Sequence, residues 1–308
     1  MTKNVIQVGI FADGSATIGA GHQVRTRALA EALIAAGHQV RLCCRDLPGS
    51  PHGWAWQGLP LVVLPADLSP RAALAQCPGD LLVVDHYDIA GEDLPTDRLV
   101  IVIDDVPGRA LQQAAIVLNQ NLGVPADAYG ERGRVGPTYA LLRGAFVGRQ
   151  WRATPAASHS ASVLVMLGGT DHRRLAGTIA THLAAAGLPV LAISREVVSG
   201  PGIEVSAVMN AEELASALAT CRAAVFGAGS AVWEALCVGA PLVAVHTVGN
   251  QDCIVAGLRA KNLARVLEPS AVSEVAAAVL AARPPPPGLV DGLGAARMVT
   301  IMEQLCRA

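Results

Sequence analysis

A glycine-rich turn that ends in a histidine is the stretch of this sequence best suited to chemistry. Gly19, Gly21 and His22 lie between a short apolar run and a helical pattern, with Arg25 one turn further along. A helix start presents unpaired backbone N–H groups and a positive dipole end to an anion. An imidazole placed there can accept or donate a proton near neutral pH. We therefore predict an anion-binding or proton-transfer site at this turn.

Polar side chains also close the apolar runs of the N-terminal half. They are Asp85-His86-Tyr87 after the run 81–84, Asp104-Asp105 after 99–103, and Asn119-Gln120-Asn121 after 116–118. Open α/β sheets bind ligands at the carboxyl ends of their strands. We therefore expect the first two groups to bring side chains close to His22. A lone histidine is more often a core or surface residue, and the neighbouring glycines are what favour a functional role for His22.

Two further glycine-rich loops occur in the C-terminal half. Gly168-Gly169-Thr170-Asp171 follows the run 162–167, and Gly227-Ala228-Gly229-Ser230 follows 223–226. Backbone N–H groups of such loops can hold phosphate oxygens, and the carboxylate of Glu234, one turn into the next helix, can accept two hydrogen bonds from a ribose. The alternative is a pair of tight turns whose glycines only allow close packing. Neither loop carries the Gly-Lys-Ser/Thr of a Walker A motif.

Strand-like and helical segments alternate through both halves, which is typical of α/β domains with parallel sheets. We predict strands over 5–11, 39–44, 59–64, 81–84, 99–103, 116–118, 162–167, 190–194, 203–208, 223–226 and 241–245. We predict helices over 24–36, 211–219 and 232–238, one that ends near 186, one that opens at Asn250-Gln251, and a short last one after the proline run 284–287.

The aperiodic stretch 148–162 is interpreted as a linker. A chain of 308 residues is long enough for two domains of about 150 residues each. We therefore predict two Rossmann-like parallel-sheet domains, residues 1–148 and 149–308, that face each other across a ligand-binding cleft.

Composition argues against several kinds of partner. A net charge of −2 gives no long-range attraction to nucleic acid or to an acidic membrane, and 3% aromatic residues leave little for stacking on bases. We expect no membrane span and no signal peptide, because apolar runs are short and a strand follows the first residues. Seven cysteines, an odd number without C-x-x-C spacing, predict buried reduced thiols in a cytoplasmic protein.

Three other chemistries fit the sequence poorly. No His, Asp and Cys set has a recognisable ligand spacing, so we expect neither a metal nor another cofactor. A serine hydrolase needs Gly-x-Ser-x-Gly, and the residues around Ser230 lack the outer glycines. A dinucleotide-binding fingerprint needs a third glycine where Val24 stands.

Taken together in their order, the motifs resemble those of a known family. They are Phe11-Ala12-Asp13-Gly14-Ser15, Ile18-Gly19-Ala20-Gly21-His22 with Arg25, Asp85-His86-Tyr87, Asp104-Asp105, Asn119-Gln120-Asn121, Gly136-Pro137-Thr138-Tyr139-Ala140-Leu141-Leu142-Arg143, Gly168-Gly169-Thr170-Asp171 and Asn250-Gln251. This order is similar to that of the nucleotide-sugar hydrolases of the pseudaminic acid pathway, which act on UDP-2,4-diacetamido-2,4,6-trideoxy-β-L-altropyranose, and of their spore-coat polysaccharide relatives. The resemblance covers about residues 8 to 260.

The resemblance implies a glycosyltransferase-B-type (GT-B) fold, with UDP bound mainly by the C-terminal domain and the sugar facing the N-terminal one. It implies that water attacks C1 of the sugar with inversion and without a metal. His22 would act as the general base or position the water, and Tyr87 and Asn250 would line the sugar. The binding residues that we assign on this basis are Asp13, Gly19, Gly21, Arg25, Asp85, Gly168, Gly169, Thr170, Gly227, Gly229, Ser230, Glu234 and Gln251.

The same architecture serves inverting glycosyltransferases, including those that move a uronic acid or another sugar from UDP to a small acceptor such as a nucleobase. The two activities differ in whether water or another nucleophile lies beside His22. We therefore predict a UDP-sugar hydrolase, with a transferase as the alternative and a non-catalytic nucleotide-sugar-binding protein as a third hypothesis. The identity of the sugar, the nucleotide base preference and the oligomeric state stay open.

Overall fold

The computed structural model describes residues 4–148, 161–168, 171, 174–194 and 198–307. The chain divides into two compact units, the first formed by Met1–Gly144 with Leu293–Ala308 and the second by Ala145–Gly292. Each unit is built around one parallel sheet. The predicted linker 148–162 lies outside the described residues, apart from residues 148, 161 and 162.

The described part of the first unit contains seven parallel strands. They are β1 (Gln7–Phe11), β2 (Gln39–Arg45), β3 (Leu61–Leu64), β4 (Leu81–Val84), β5 (Leu99–Ile103), β6 (Ile116–Asn119) and β7 (Gly133–Val135). Their order in the sheet is β3-β2-β1-β4-β5-β6-β7. The direction of the order reverses between β1 and β4, and open α/β sheets bind ligands at such a switch point.

The second unit has six parallel strands among its described residues. They are β8 (Val163–Met166), β9 (Val190–Ile193), β10 (Ile203–Ser206), β11 (Ala223–Gly227), β12 (Leu242–Val245) and β13 (Arg265–Leu267). Their order is β10-β9-β8-β11-β12-β13, so this sheet has its switch point between β8 and β11. The two predicted glycine-rich loops follow these two strands.

Nine α-helices occur within the described ranges. They are α1 (Gly21–Ala35), α2 (His52–Ala55), α3 (Pro70–Ala75), α4 (Leu175–Ala185), α5 (Ala211–Thr220), α6 (Ala231–Val238), α7 (Asp252–Ala260), α8 (Val275–Ala281) and α9 (Gly294–Leu305). Short 3₁₀ turns cover Gly91–Asp93, Gly130–Arg132, Pro137–Tyr139, Gly144–Phe146, Gly249–Gln251 and Pro269–Glu274.

The two parallel-sheet α/β domains are confirmed, and all the predicted strands are present with ends shifted by a residue or two. Strands β4 and β6 are buried along their whole length, and a continuous apolar run is the pattern that such strands show. The prediction missed β7 and β13, which are only three residues long and contain arginine. It also missed α2, α3 and α8, which are short.

The C-terminal helix α9 packs in the first unit, which differs from the predicted boundary. Met298 and Met302 of α9 are fully buried in an apolar cluster that includes Leu29 and Leu33 of α1. The first unit also ends at Gly144 instead of 148, so the predicted domain 149–308 differs from the second unit at both ends. The end of the chain returns to the first unit because the apolar face of α9 packs against α1, a helix far away in the sequence.

Replacing Met298 with alanine should lower the free energy of unfolding of the first unit by about 2–5 kcal/mol, because the change leaves a cavity between α9 and α1. Hydrogen exchange in dilute urea should show a loss of protection in α1 and none in α4. Leu280→Ala, at a side chain that is 55% exposed on α8, is the control and should change stability by less than about 0.5 kcal/mol. An equal loss of protection in both units would contradict the packing of α9.

Candidate active site

The loop after β1 holds His22 at the start of α1. Gly19 has a φ of 84°, a conformation that favours glycine, and its N–H donates to the carbonyl of Ser15 at 2.9 Å. The Ser15 hydroxyl accepts from the N–H groups of Thr17 and Ile18 at 3.2 and 3.0 Å. These bonds close the loop immediately before the helix, and they leave His22 only 6% exposed.

His22 and Asp85 form a buried hydrogen-bonded pair at the switch point of the first sheet. His22 Nδ1 lies 2.6 Å from Asp85 Oδ1, and Asp85 is 1% exposed directly after β4. An ionised carboxylate can only accept, so Nδ1 carries the proton and Nε2 has the lone pair. The predicted convergence of the Asp85 group on His22 is therefore confirmed, with Asp85 as the partner that orients the imidazole.

Arg25 connects this pair to Asp105, at the end of β5. Its Nε and Nη2 donate to the two oxygens of Asp85, each at 2.6 Å, and its Nη1 and Nη2 donate to the two oxygens of Asp105, each at 2.8 Å. One guanidinium therefore makes two bidentate ion pairs. Because Arg25 belongs to α1, the contact ties the helix that carries His22 to the ends of two strands.

The cluster carries one more negative than positive charge. Two carboxylates face one guanidinium, so one negative charge is left beside the His22 imidazole. Burial by itself would raise the pKa of Asp85, but Arg25 and His22 outweigh burial and hold that pKa well below its usual range. Burial and Arg25 oppose each other in the same way at Asp105, and the pKa of Asp105 is also lowered. Both carboxylates are therefore ionised at neutral pH.

Asp105 also holds the side chain of Tyr87. The Tyr87 hydroxyl donates to Asp105 Oδ2 at 2.7 Å, and its ring meets the His22 imidazole edge-on, with centroids 4.8 Å apart and planes at 75°. Burial and the negative charge of Asp105 raise the pKa of Tyr87 well above its usual value, so the hydroxyl stays protonated. Tyr87 is consequently a hydrogen-bond donor and a packing partner of His22, not a base.

Asn121 completes the set of groups around Asp105. Its Nδ2 donates to Asp105 Oδ1 at 3.1 Å, which fixes the orientation of the amide. The opposite atom, Asn121 Oδ1, is buried, and no described residue donates a hydrogen bond to it. The prediction noted Asn121 at the end of β6 without assigning it a role, and that position after a strand was the available signal.

Asp13, predicted to bind substrate, is buried and engaged by its own protein. Its Oδ1 accepts from the Arg45 backbone N–H at 2.7 Å, and its Oδ2 accepts from Arg45 Nε at 2.7 Å and His86 Nε2 at 3.1 Å. Burial would raise the pKa of Asp13, but the bonds from His86 and Arg45 lower it. Asp13 thus ties together the ends of β1, β2 and β4, and the geometry favours a positioning role over direct contact with a ligand.

In the second unit, Gly227 and Gly229 differ in what an added side chain would meet. A Cβ on Gly227 would lie 2.7 Å from the carbonyl oxygen of Leu167, so the close approach of β11 to the end of β8 requires glycine. A Cβ on Gly229 would meet no described atom within 4 Å, and its φ lies outside the left-handed region. Packing therefore explains why residue 227 is glycine, but neither packing nor backbone conformation explains the glycine at 229.

The starts of α4 and α6 are capped in different ways. The Asp171 carboxylate accepts from the N–H groups of Leu175 and Ala176 at 3.1 and 2.7 Å, so a negative charge already covers the start of α4. Ser230 at the start of α6 makes no capping hydrogen bond with its side chain. Glu234 lies in the first turn of α6 and is 5% exposed.

The other predicted residues of the second unit lie in two loops. Gly168 follows β8 with a φ of 108°, and Gly169 and Thr170 are outside the described residues. Asn250 is exposed in the 3₁₀ turn before α7. Gln251 is buried, and its Oε1 accepts from the backbone N–H and the hydroxyl of Thr247 at 2.8 and 3.2 Å. Gln251 therefore stabilises its own loop.

The described residues contain no group of three or more His, Cys, Asp or Glu side chains arranged to hold a metal ion. Within the same part of the chain, every helix is too short or too polar to cross a membrane. All seven cysteines are thiols, and five of them are buried.

Comparison with known proteins supports the fold and a weak sequence relationship. No family model matches the chain. The spore coat polysaccharide biosynthesis protein SpsG of Bacillus subtilis is 26% identical over 80% of this chain and 79% of SpsG. The structure of the calicheamicin glycosyltransferase CalG4 matches 99% of this chain and 94% of its own, with 17% identity and a TM-score of 0.60. MurG of Acinetobacter baumannii matches 97% and 99%, with 14% identity and a TM-score of 0.64. The predicted GT-B-type fold is confirmed.

The lowered pKa values predict that acid destabilises the first unit. Asp13, Asp85 and Asp105 each have a folded pKa below that of an unfolded aspartate, so the unfolded chain binds more protons. Their contribution is fully present above about pH 5 and is lost as the pH falls further through the folded pKa values. Urea unfolding at several pH values should show this decline.

Asp105→Asn should be less stable than the wild type at pH 7 and should lose less stability between about pH 5 and pH 3, because one depressed carboxyl is gone. Asp97→Asn is the control, since the Asp97 side chain is 72% exposed. An acid slope in Asp105→Asn equal to that of the wild type would show that Asp105 is not ionised through its pairing with Arg25.

Proposed function

We propose that this chain is a nucleotide-sugar hydrolase that cleaves the bond between C1 of the sugar and the diphosphate oxygen of UDP, with inversion. The observation that carries the proposal is the buried His22–Asp85 pair at the start of α1, at the switch point of the first sheet. A histidine oriented by a carboxylate is a general base whose accepting nitrogen is defined. The order of the sequence motifs suggests a pseudaminic-acid-type sugar as the substrate.

In the proposed step, His22 Nε2 takes a proton from water while the water oxygen forms a bond to C1. The bond from C1 to the diphosphate oxygen breaks, and its electron pair leaves with UDP. The imidazolium that results lies beside Asp85, which shares the Arg25 guanidinium with Asp105. The surplus negative charge of that cluster stabilises the imidazolium, and Asp85 itself takes no proton.

For the second unit, we propose that residues 227–230 and the start of α6 hold the diphosphate and that Glu234 holds the ribose. The open space at Gly229 supports this assignment, because neither packing nor backbone conformation requires glycine there. The start of α4 is less suited, because Asp171 already covers it. N–H groups at a helix start would stabilise the charge that develops on departing UDP. Further candidates from the motif resemblance are Gly19, Gly21, Gly168, Gly169, Thr170, Asn250 and Gln251.

An inverting glycosyltransferase is the second candidate. The description of CalG4 as a glycosyltransferase favours it, because CalG4 shares this fold. The same base would then take a proton from an acceptor, such as a hydroxyl or a nucleobase N–H, and the acceptor atom would bond to C1. The name of SpsG places that relative in polysaccharide biosynthesis, which suits either activity.

Incubation with a panel of UDP-sugars, without an acceptor, separates these candidates. For the hydrolase, NMR should show steady release of UDP and of free sugar with inverted configuration at C1. Release of UDP only after addition of an alcohol or nucleobase would exclude the hydrolase and support the transferase. Tight binding without release under either condition would overturn both and support a binding protein.

His22→Asn should lower kcat by about 10²–10⁴, because asparagine can still donate to Asp85 but offers no basic nitrogen. The Kd of UDP, measured by calorimetry, should stay unchanged, since the nucleotide is assigned to the second unit. His52→Ala, whose histidine bonds to Ser50, is the control and should keep full activity. A His22→Asn variant with wild-type kcat would rule out His22 as the base.

Gly229→Ala should weaken UDP binding by about tenfold or more, because a methyl group would fill the space proposed for a phosphate oxygen. Its melting temperature should match that of the wild type, since the added Cβ meets no described atom. Gly53→Ala is the matched control, also in open space but in the first unit, and should bind UDP normally. Unchanged affinity in Gly229→Ala would remove the loop from the nucleotide site.

A further inference from the structure

Arg109 belongs to the segment after β5, and its side chain binds the backbone of the loop that follows β4. Its Nη2 donates to the carbonyl oxygens of His86 and Tyr87, each at 2.9 Å, and also to the carbonyl of Ile89. Its Nη1 donates to Asp104 Oδ1 at 3.0 Å. The loop backbone therefore folds around a single guanidinium, and the Arg109 side chain is 14% exposed.

The backbone and the hydroxyl of Tyr87 are held from the same short segment after β5. Asp105 accepts from the hydroxyl, while Arg109 holds the backbone carbonyl and is itself held by Asp104. Asp104 is fully buried, and its second oxygen accepts from the Tyr129 hydroxyl at 2.8 Å. A tyrosine side chain has few rotatable bonds, so fixing its two ends determines where the ring lies.

We infer that Arg109 is a positioning residue that keeps the ring of Tyr87 against His22. A guanidinium suits this place, because Nη2 donates to the loop carbonyls while a second nitrogen, Nη1, donates to the Asp104 carboxylate. Lysine would have to make both kinds of contact from one nitrogen. Without Arg109 the loop carbonyls lose their shared donor, and the Tyr87 ring loses its contact with the His22 imidazole. The effect on catalysis rests on the proposed function, while the effect on the position of Tyr87 does not.

Arg132 provides a matched control within the same unit. Its Nη1 donates to the carbonyl oxygens of Leu111 and Ala114 at 2.6 and 3.3 Å, which is the same kind of contact away from the Tyr87 loop. If arginine–carbonyl contacts serve only general stability, Arg109→Lys and Arg132→Lys should have similar consequences. If Arg109 positions Tyr87, only the first change should alter the surroundings of His22.

The first test needs no substrate. The carbon-bound ring protons of His22 are observed by NMR in the full chain and assigned through His22→Asn, and Tyr87→Leu shows where they resonate without the ring current of Tyr87. Arg109→Lys should move the His22 signals most of the way to the Tyr87→Leu position, and Arg132→Lys should leave them in place. Unmoved signals in Arg109→Lys would overturn the inference. Arg109→Ala is the second variant, measured with and without added guanidinium ion. The ion should move the His22 signals back toward their wild-type position, and failure to do so would also count against the inference.

The second test is a double-mutant cycle on turnover. Arg109→Lys should lower kcat by about tenfold in the wild-type background and by less than about twofold in Tyr87→Leu, since the residue through which it acts is then absent. Equal factors in both backgrounds would contradict action through Tyr87. If no variant and no wild type turns over any UDP-sugar, the proposed function fails, and the NMR result still decides the role of Arg109.

Discussion

The site of the first unit depends on one buried guanidinium held between two buried carboxylates. A buried ion pair is a weak argument for stability, since desolvation opposes the attraction, but loss of one partner leaves a charge buried and unpaired. Arg25 therefore contributes more to the relative positions of α1, β4 and β5 than to the free energy of unfolding. It connects α1 to the ends of β4 and β5 and leaves one negative charge beside His22. The contact that assembles the site also sets its electrostatics.

Around that contact, each polar residue has a different partner and a different task. Asp85 orients the imidazole, Asp105 holds Tyr87, and Asp13 ties strand ends together through Arg45. In the second unit, the proposed phosphate site consists of backbone instead of side chains: a glycine that packing does not require, and the start of a helix. Proton transfer needs fixed side chains with defined protonation, whereas a diphosphate is well matched by backbone N–H groups.

The sequence predicted the sheets well because fully buried parallel strands are continuous apolar runs, and it predicted the convergence of Asp85 and Asp105 on His22 because parallel strands end at one edge. It did not predict that α9 returns to the first unit, since that packing joins residues far apart in the chain. The hydrogen bonds of Asp13 could not be predicted either, because its partner Arg45 comes from a different strand. The contacts of Arg109 depend on the path of a loop, which no residue spacing reveals.

In the proposed reaction, the nucleophile attacks C1 of the sugar while His22 takes its proton. Turnover of a UDP-sugar in ¹⁸O-labelled water, followed by mass spectrometry of both products, tests this claim most directly. We expect one ¹⁸O in the released sugar, none in UDP, and loss of the labelled sugar when His22 is replaced by asparagine. Label in the β-phosphate of UDP would contradict it, because the P–O bond would then be the one that breaks.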